Sequence, residues 1–236
     1  MGVQLRVSLP DQPGTLARIS RAIAASGADV LWVCVLESEG GRAIDDFGLR
    51  WPDDTDFQPL LEAVAAERGI EVISCRSSRR LMAERADLDL LGYLLTAPGR
   101  GVETLVDMAP AALDADWAQL REPDRSSPAR YPEGVPAHDE LAPDRMPVRA
   151  MAGSAGEVAW AQFPLAALGM VLVIGRDGGP PFLRPELRHA ETVIALALRT
   201  LVALRDTKDA TDLTASLTTH KRCGSRLPAP PGVPRT

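Results

Sequence analysis

The sequence predicts an α+β protein built from two modules, and three observations support this prediction. Residues 1–80 alternate between strand and helix periodicity in the order strand, helix, strand, strand, helix, strand. A short polar stretch, residues 77–80, separates this block from a second one with a different order of elements. The 236 residues suffice for two units of about 100 residues each. We predict modules at 1–80 and 85–205 and a disordered tail at 206–236.

The elements of the first module follow from periodicity and turn residues. Residues 3–9 alternate apolar and polar side chains, which is the period of a strand with one buried face. Pro13 fits the first position of a helix and Gly27 fits a left-handed C-terminal cap. Further strands are predicted at 30–36, 42–51 and 70–75, with a second helix from about residue 57 to Gly69.

This order is the split βαβ or ferredoxin-like arrangement, an antiparallel sheet with both helices on one face. The apolar residues in 3–9, 30–36 and 47–51 predict an apolar helix-free face, and such a face is seldom left in water. We therefore predict a homodimer. Asp45 and Asp46 are adjacent on a strand and must point to opposite faces, so at least one is expected to face solvent.

The second module begins with helical spacing at about 88–95 and 104–113, followed by a short strand at 117–120. Residues 121–147 contain several prolines and are predicted to be a long loop. Strands at 158–163 and 170–175 then precede a long amphipathic helix at 187–202. From Asp206 the apolar content falls and prolines accumulate, which predicts the disordered tail.

The composition excludes several classes of protein. The chain has 26 Lys+Arg and 32 Asp+Glu, a net charge of −6, and only two lysines, so we expect no nucleic-acid partner. Its apolar runs are far shorter than the roughly 20 residues that span a bilayer, so we expect a cytoplasmic protein without a membrane partner. Three scattered cysteines indicate neither a disulfide framework nor a zinc site, and no cofactor is predicted.

Enzyme signatures are mostly missing. None of the three histidines, His138, His189 and His220, has a nucleophile and an orienting partner nearby in sequence. The glycine-rich stretches 99–101 and 175–179 lack the remaining positions of a dinucleotide or phosphate-binding loop, and 153–156 lacks the spacing of a nucleophile elbow. We predict a protein that is not an enzyme.

One motif stands between the first strand and the first helix. Residues 11–16 read D-Q-P-G-T-L, and Gly27-Ala28-Asp29-Val30 follows the helix. Set within the complete βαββαβ order, this motif closely resembles the ACT domain, a small amino-acid-sensing module. The resemblance covers about residues 1–80.

The start of the first helix is the strongest candidate site. Free N–H groups there and the positive end of the helix dipole favour a carboxylate, and Gly14 leaves the approach open. Asp11 could accept hydrogen bonds from an ammonium group, so the two ends suit a zwitterionic amino acid. The ACT resemblance adds Asp29, and we expect the ligand to contact Asp11, Gln12, Gly14, Thr15 and Asp29. The alternative is that Asp11 caps the helix and Gly14 only permits close packing.

The second module resembles a GAF domain, a small-molecule sensory fold. The similarity lies in residues 105–109 running into 116–120, and in the ending 169–175, Phe182, Glu186-Leu187 and a long helix. It covers about residues 86–204 and implies helices packed on an antiparallel sheet.

Together these features predict a regulatory protein that binds a small molecule, with an amino acid as the expected effector and output through a partner protein. Two alternatives remain open: a dimerising scaffold without a ligand, and an enzyme with a site in the GAF-like cleft.

Overall fold

The computed structural model describes residues 1–52, 56–78, 85–96, 98–124, 141 and 143–223, with only the backbone described for 98 and 205–223. The chain is α+β, as predicted, with two antiparallel four-stranded sheets among the described residues. In chain order the elements are β1 (Gly2–Pro10), α1 (Thr15–Ala25), β2 (Asp29–Glu39), β3 (Arg42–Arg50), α2 (Gln58–Ala65), β4 (Glu71–Ser77), α3 (Ala86–Thr96), α4 (Gly101–Ala112), β5 (Trp117–Arg121), β6 (Met151–Ala155), β7 (Val158–Leu165), β8 (Met170–Asp177) and α5 (Arg184–Cys223).

The first sheet has the strand order β2-β3-β1-β4, in which β1 pairs antiparallel with both β3 and β4. Helices α1 and α2 pack on one face, where Ile19 and Leu60 join a single apolar core with the strands. The alternating apolar residues of β1, Val3, Leu5, Val7 and Leu9, all belong to this core. The hydrophobic alternation therefore decides which face of the sheet receives the helices.

The ends of α1 differ slightly from the prediction. The helix begins at Thr15, with Gly14 as its N-cap in a left-handed conformation (φ 88°), so Pro13 lies in the turn before the helix. Gly27 also has a positive φ of 90°, which suits the predicted left-handed cap just after the helix.

The second sheet has the order β5-β8-β7-β6. Helices α3, α4 and α5 cover one face, where Leu90, Leu105 and Ile194 join Leu172 and Phe163 in the larger core. The opposite face is covered in part by a small cluster around Leu141, Val171 and Val173. The GAF-like assignment and the boundaries 1–80 and 85–205 stay predictions.

Helix α5 is longer than the sequence predicts and runs to Cys223. The predicted disordered tail thus does not hold for residues 206–223. The physical reason is that this segment contains neither glycine nor proline, so nothing interrupts the helix before Gly224. The prolines that suggested disorder all follow Gly224 and lie outside the described residues.

The helix-free face of the first sheet is covered by the second module and is not the apolar surface that the sequence suggested. It carries Gln4, Arg6 and Asp46, each at most 6% exposed. The prediction of an apolar face was wrong because the apolar alternation of β1 points entirely toward the helices. The homodimer stays a prediction, but an apolar helix-free face no longer supports it.

Arg6 is the centre of the contact between the modules. Its guanidinium donates to both carboxylate oxygens of Asp46 on the neighbouring strand, at 2.7 and 2.8 Å. It also donates to both oxygens of Glu186 in the first turn of α5, at 3.2 and 2.9 Å. Burial alone lowers the pKa of Arg6, but the hydrogen bonds to Asp46 and Glu186 and the charges of these carboxylates together outweigh burial, and the net pKa is raised.

Asp114, between α4 and β5, is a second junction of the same network. Its side chain lies 3.1 Å from Arg176 on β8 and 2.9 Å from Arg76 on β4, so it bridges the two modules. Arg76 also reaches Asp116 at 3.1 Å, and Arg176 reaches Glu186 at 2.7 Å. Asp114 has a positive φ of 53°, which aspartate tolerates better than most residues.

We expect Arg6→Ala to lower the free energy of unfolding by about 3 kcal/mol or more, because it leaves the buried Asp46 carboxylate without its cation and Glu186 with Arg176 alone. Arg50→Ala is the matched control, since its ion pair with Asp29 is 3.3 Å long and about two-thirds exposed. That substitution should cost less than about 1 kcal/mol. Urea unfolding of both variants measures the difference, and equal losses would contradict the role given to Arg6.

Candidate functional site

The loop between β1 and α1 is held in place by its own backbone. The Asp11 N–H donates to Gly41 O at 2.9 Å, which fastens the loop to the β2–β3 turn. The Gln12 N–H donates to Pro10 O and the Thr15 N–H to Gln12 O, at 2.9 and 3.2 Å. The loop is therefore shaped before any ligand arrives.

The start of α1 is open to an approaching group. A Cβ placed on Gly14 would meet no atom within 4 Å, so the space beside this residue is free. The Arg18 N–H donates to Gly14 O in the first turn of the helix. The N–H groups of Leu16 and Ala17 come before this bond in the chain and are among the donors that a helix start leaves without an intrahelical partner. These donors, at the positive end of the helix dipole, suit a carboxylate.

Asp11 is exposed beside this opening. Its Oδ2 accepts a hydrogen bond from Ser38 Oγ at 2.6 Å, which fixes the carboxylate against β2. The alternative in which Asp11 caps α1 is wrong, since Gly14 is the N-cap and no side chain caps the helix. Gln12 is also exposed, whereas Thr15 is 4% exposed and lies in the protein interior.

Asp29 does not join the other predicted residues. It pairs with Arg50 at the start of β2, whereas Pro10, next to Asp11, pairs with Arg42. Eight residue steps along β3 separate these positions, or about 26 Å at the rise of a strand. Because α1 spans the sheet from end to end, the residue that follows the helix lies far from the residue that precedes it.

Asp45 is a second carboxylate whose charge interacts with that of Asp11. Asp45 is 1% exposed, and among the described residues its Oδ1 has no hydrogen-bond partner. It sits opposite Val7 in the register, on the helix-bearing face of the sheet. Burial raises the pKa of the Asp45 carboxyl, and the negative charges of Asp11 and Asp46 raise it further.

Sequence reasoning missed Asp45 because it expected at least one of two adjacent aspartates to face solvent. They do point to opposite faces, but both are buried, Asp45 on the helix side and Asp46 under the second module. The signal was present in the alternation itself, because Asp45 occupies a position where Phe47 and Leu49 face the core.

A cavity of about 420 Å³ lies between the two modules, within the usual size range of small-molecule sites. The first sheet lines it with Gln4, Trp32, Cys34 and Asp46. The second module contributes the end of α4 and the first turns of α5. This is not the cleft of the second module considered from the sequence, where the Leu141 cluster fills part of the sheet face.

The charges around the cavity favour a cation over an anion. Burial raises the pKa of the Cys34 thiol, and the carboxylates of Asp46, Asp45 and Glu186 raise it further. Arg6 opposes them with a smaller effect. Among the charged groups that act on Cys34, the carboxylates therefore outweigh the guanidinium.

Within the described residues, no three His, Cys, Asp or Glu side chains are grouped so that they could hold a metal ion. The thiols of Cys34 and Cys75 are free. No helix in the described part of the chain is long and apolar enough to cross a membrane.

Comparisons with known proteins give weak similarity. No family model matches the sequence, and no curated protein matches it. A protein of unknown function from Galdieria sulphuraria has a TM-score of 0.30 and 12% identity, over 83% of this chain and 90% of that one. The regulatory subunit of aspartate kinase from Thermus flavus has a TM-score of 0.28 and 17% identity, over 82% and 92%.

A formyltetrahydrofolate deformylase from Pseudomonas putida KT2440 has a TM-score of 0.28 and 19% identity. The match covers 41% of this chain and 38% of the deformylase. At these TM-scores the similarity does not assign the chain to a family.

Asp45→Asn should stabilise the ligand-free protein at neutral pH, because it replaces a buried, unpaired charge with a neutral amide. The folded pKa of Asp45 lies above its ordinary value of 3.8, so wild-type stability is lost as the pH rises through the folded pKa. The advantage of the variant should therefore vanish toward pH 3.8 and below. Urea unfolding of both proteins across this pH range measures the difference in stability. A variant that is less stable than the wild type at neutral pH would contradict the prediction.

Proposed function

We propose that this protein is a non-catalytic regulatory protein whose first module binds an amino acid beside Asp11 and Gly14. The observation that carries the proposal is the buried Asp45 carboxylate, whose Oδ1 has no hydrogen-bond partner among the described residues and whose charge interacts with that of Asp11. The negative charges of Asp11 and Asp45 act on each other, and the N-terminus of α1, which follows the Asp11 loop, carries the opposite charge. That pattern is complementary to a zwitterion.

In the proposed complex the ligand's ammonium group contacts Asp11 and Asp45, and its carboxylate takes the free N–H groups at the start of α1. The ammonium supplies three donors, which the two carboxylates can accept without disturbing the Ser38 hydrogen bond. A nearby cation lowers the pKa of Asp45, so binding relieves the repulsion between the two acids.

The D-Q-P-G-T-L motif and the βαββαβ order support the part of this proposal that assigns the first module to the ACT family. We propose further that the second module is GAF-like. We propose a cytoplasmic location and output through a partner protein or a changed oligomer. Asp29 is left out of the site within one chain, because about 26 Å of sheet separates it from Pro10 and Asp11.

A dimerising scaffold without a ligand is the second candidate. Val33 and Val35 are 43% and 57% exposed on β2, which is an edge strand of the first sheet. An exposed edge with apolar side chains is a surface on which a second chain can pair. This observation favours association, and it is independent of the site at Asp11.

Calorimetric titration with each amino acid tests the proposed function. We expect one amino acid or a small group of them to bind, and Asp11→Ala to weaken binding by roughly tenfold or more. The reason is the loss of a charge-assisted hydrogen bond of about 1.5 to 3 kcal/mol. Asp29→Ala is the matched control, an exposed aspartate at the far end of the same sheet, and should bind like the wild type.

Absence of heat with every amino acid at millimolar concentration would favour the scaffold over the sensor. Equal affinities of wild type and Asp11→Ala would place the ligand elsewhere. Circular dichroism of each variant establishes that it is folded before binding is measured.

A further inference from the structure

We propose that the cavity between the two modules binds a small organic cation, an amine carried on an apolar body. This site differs from the one at Asp11, because Asp46 and Asp45 point to opposite faces of the first sheet. It therefore goes beyond the proposed amino-acid site and does not depend on it.

The cavity has a polar inner end and an apolar middle. Asp46 and Glu186 line the inner end, where their side chains are 5% and 14% exposed. The apolar wall is formed by both modules: Trp32, Leu36, Ala112, Leu113, Pro185 and Ala190. An apolar wall of this extent excludes a fully hydrated ion and gives the body of an organic molecule a surface to bury.

Trp32 is positioned by the residue beneath it. It lies directly across from Gly48 in the register, and a Cβ on Gly48 would fall 2.0 Å from the indole nitrogen. The missing Cβ lets the indole pack down on β3 and leaves room above it. An aromatic wall next to carboxylates favours a cation, which a ring attracts through its quadrupole.

The inner end retains capacity to accept a hydrogen bond. From the described residues the Asp46 carboxylate receives three hydrogen bonds, two from Arg6 and one from Gln4, of the about four that its oxygens can take. Three carboxylates of the interface network line the cavity, Asp46, Asp114 and Glu186, whereas their partners Arg6, Arg76 and Arg176 do not. The charged groups of this network that face the cavity are therefore acidic, which favours an ammonium group.

The basic side chains at the mouth do not reverse this preference. Arg85 and His189 both line the cavity, but their side chains are 67% and 57% exposed, so solvent screens them. Both also lie close to Asp87, at 3.3 and 3.9 Å. The deepest charges, which are the least screened, are the ones that select the ligand.

Three probes that share a phenethyl body separate the effect of charge from that of apolar burial: phenethylammonium, neutral 2-phenylethanol and anionic 3-phenylpropionate. We expect the full-length protein to bind phenethylammonium saturably in calorimetry. The alcohol should bind at least about tenfold more weakly, equivalent to about 1.4 kcal/mol. The anion should give no saturable heat.

Cys34→Arg places a positive charge in the cavity and should abolish binding of phenethylammonium. Val33→Arg is the matched control, the same change at the preceding residue of β2, whose side chain does not line the cavity. It should bind like the wild type. Asp11→Ala should also leave amine binding unchanged, which separates this site from the proposed amino-acid site.

The proposal is overturned if phenethylammonium gives no saturable heat with wild-type protein at millimolar concentration, or if the alcohol or the acid binds as tightly as the amine. It is also overturned if folded Cys34→Arg retains wild-type affinity. Should Cys34→Arg fail to fold, the comparison of the three probes on wild-type protein still decides the question.

Discussion

The burial of the Arg6 guanidinium is the constraint on which the arrangement of this protein depends. A charged side chain in the middle of a sheet face cannot lose its water without partners, and Arg6 is 1% exposed. Its own module supplies Asp46, and the second module supplies Glu186. The second module must therefore lie on the helix-free face of the first sheet, with the start of α5 directed at Arg6.

The same constraint gives the two faces of the first sheet different chemistry. On the helix side the strands bury an apolar core that Asp45 interrupts near the start of α1. On the other side, Asp46 belongs to an ion network that extends into the second module through Asp114. Each of the adjacent aspartates thus marks one of the two proposed binding sites, and one β-strand connects them.

A ligand in the cavity between the modules would act directly on their contact. The residues that line its inner end are the residues that hold the modules together, so binding there changes the forces on Arg6 and Glu186. A ligand shifts a conformational equilibrium only by its difference in affinity for the two arrangements. Contact with both modules is the simplest way to create that difference.

The first sheet could be predicted from the sequence because its strands alternate clearly and glycine or proline ends most of its elements. Strand β6 was missed because M-A-G-S-A contains no strongly strand-forming residue. The position of β6 depends on its pairing with β7, where Gly153 lies under the ring of Trp160. Trp32 and Trp117 lie across from Gly48 and Gly175 in the same way. The strand register determines these cross-strand pairs. Because the two residues are separated along the chain, they produce no local pattern in the sequence.

The candidate sites were predicted only in part for a similar reason. Asp11 and Gly14 belong to a contiguous motif, so the sequence shows them together. Strand pairing brings the charge of Asp45 within reach of Asp11, whereas the length of α1 keeps Asp29 far from the loop. Gln4 and Arg6 alternate with the apolar residues of β1, a pattern that is typical of side chains facing solvent. The sequence does not show that the second module buries them.

Differential scanning calorimetry of the full chain tests most directly the claim that Arg6 and its carboxylates join the two modules into one unit. The account predicts a single unfolding transition whose calorimetric enthalpy equals the van't Hoff enthalpy, because neither buried half of the network is stable without the other. Two resolved transitions, or a calorimetric enthalpy well above the van't Hoff value, would show that the modules unfold independently and would contradict it.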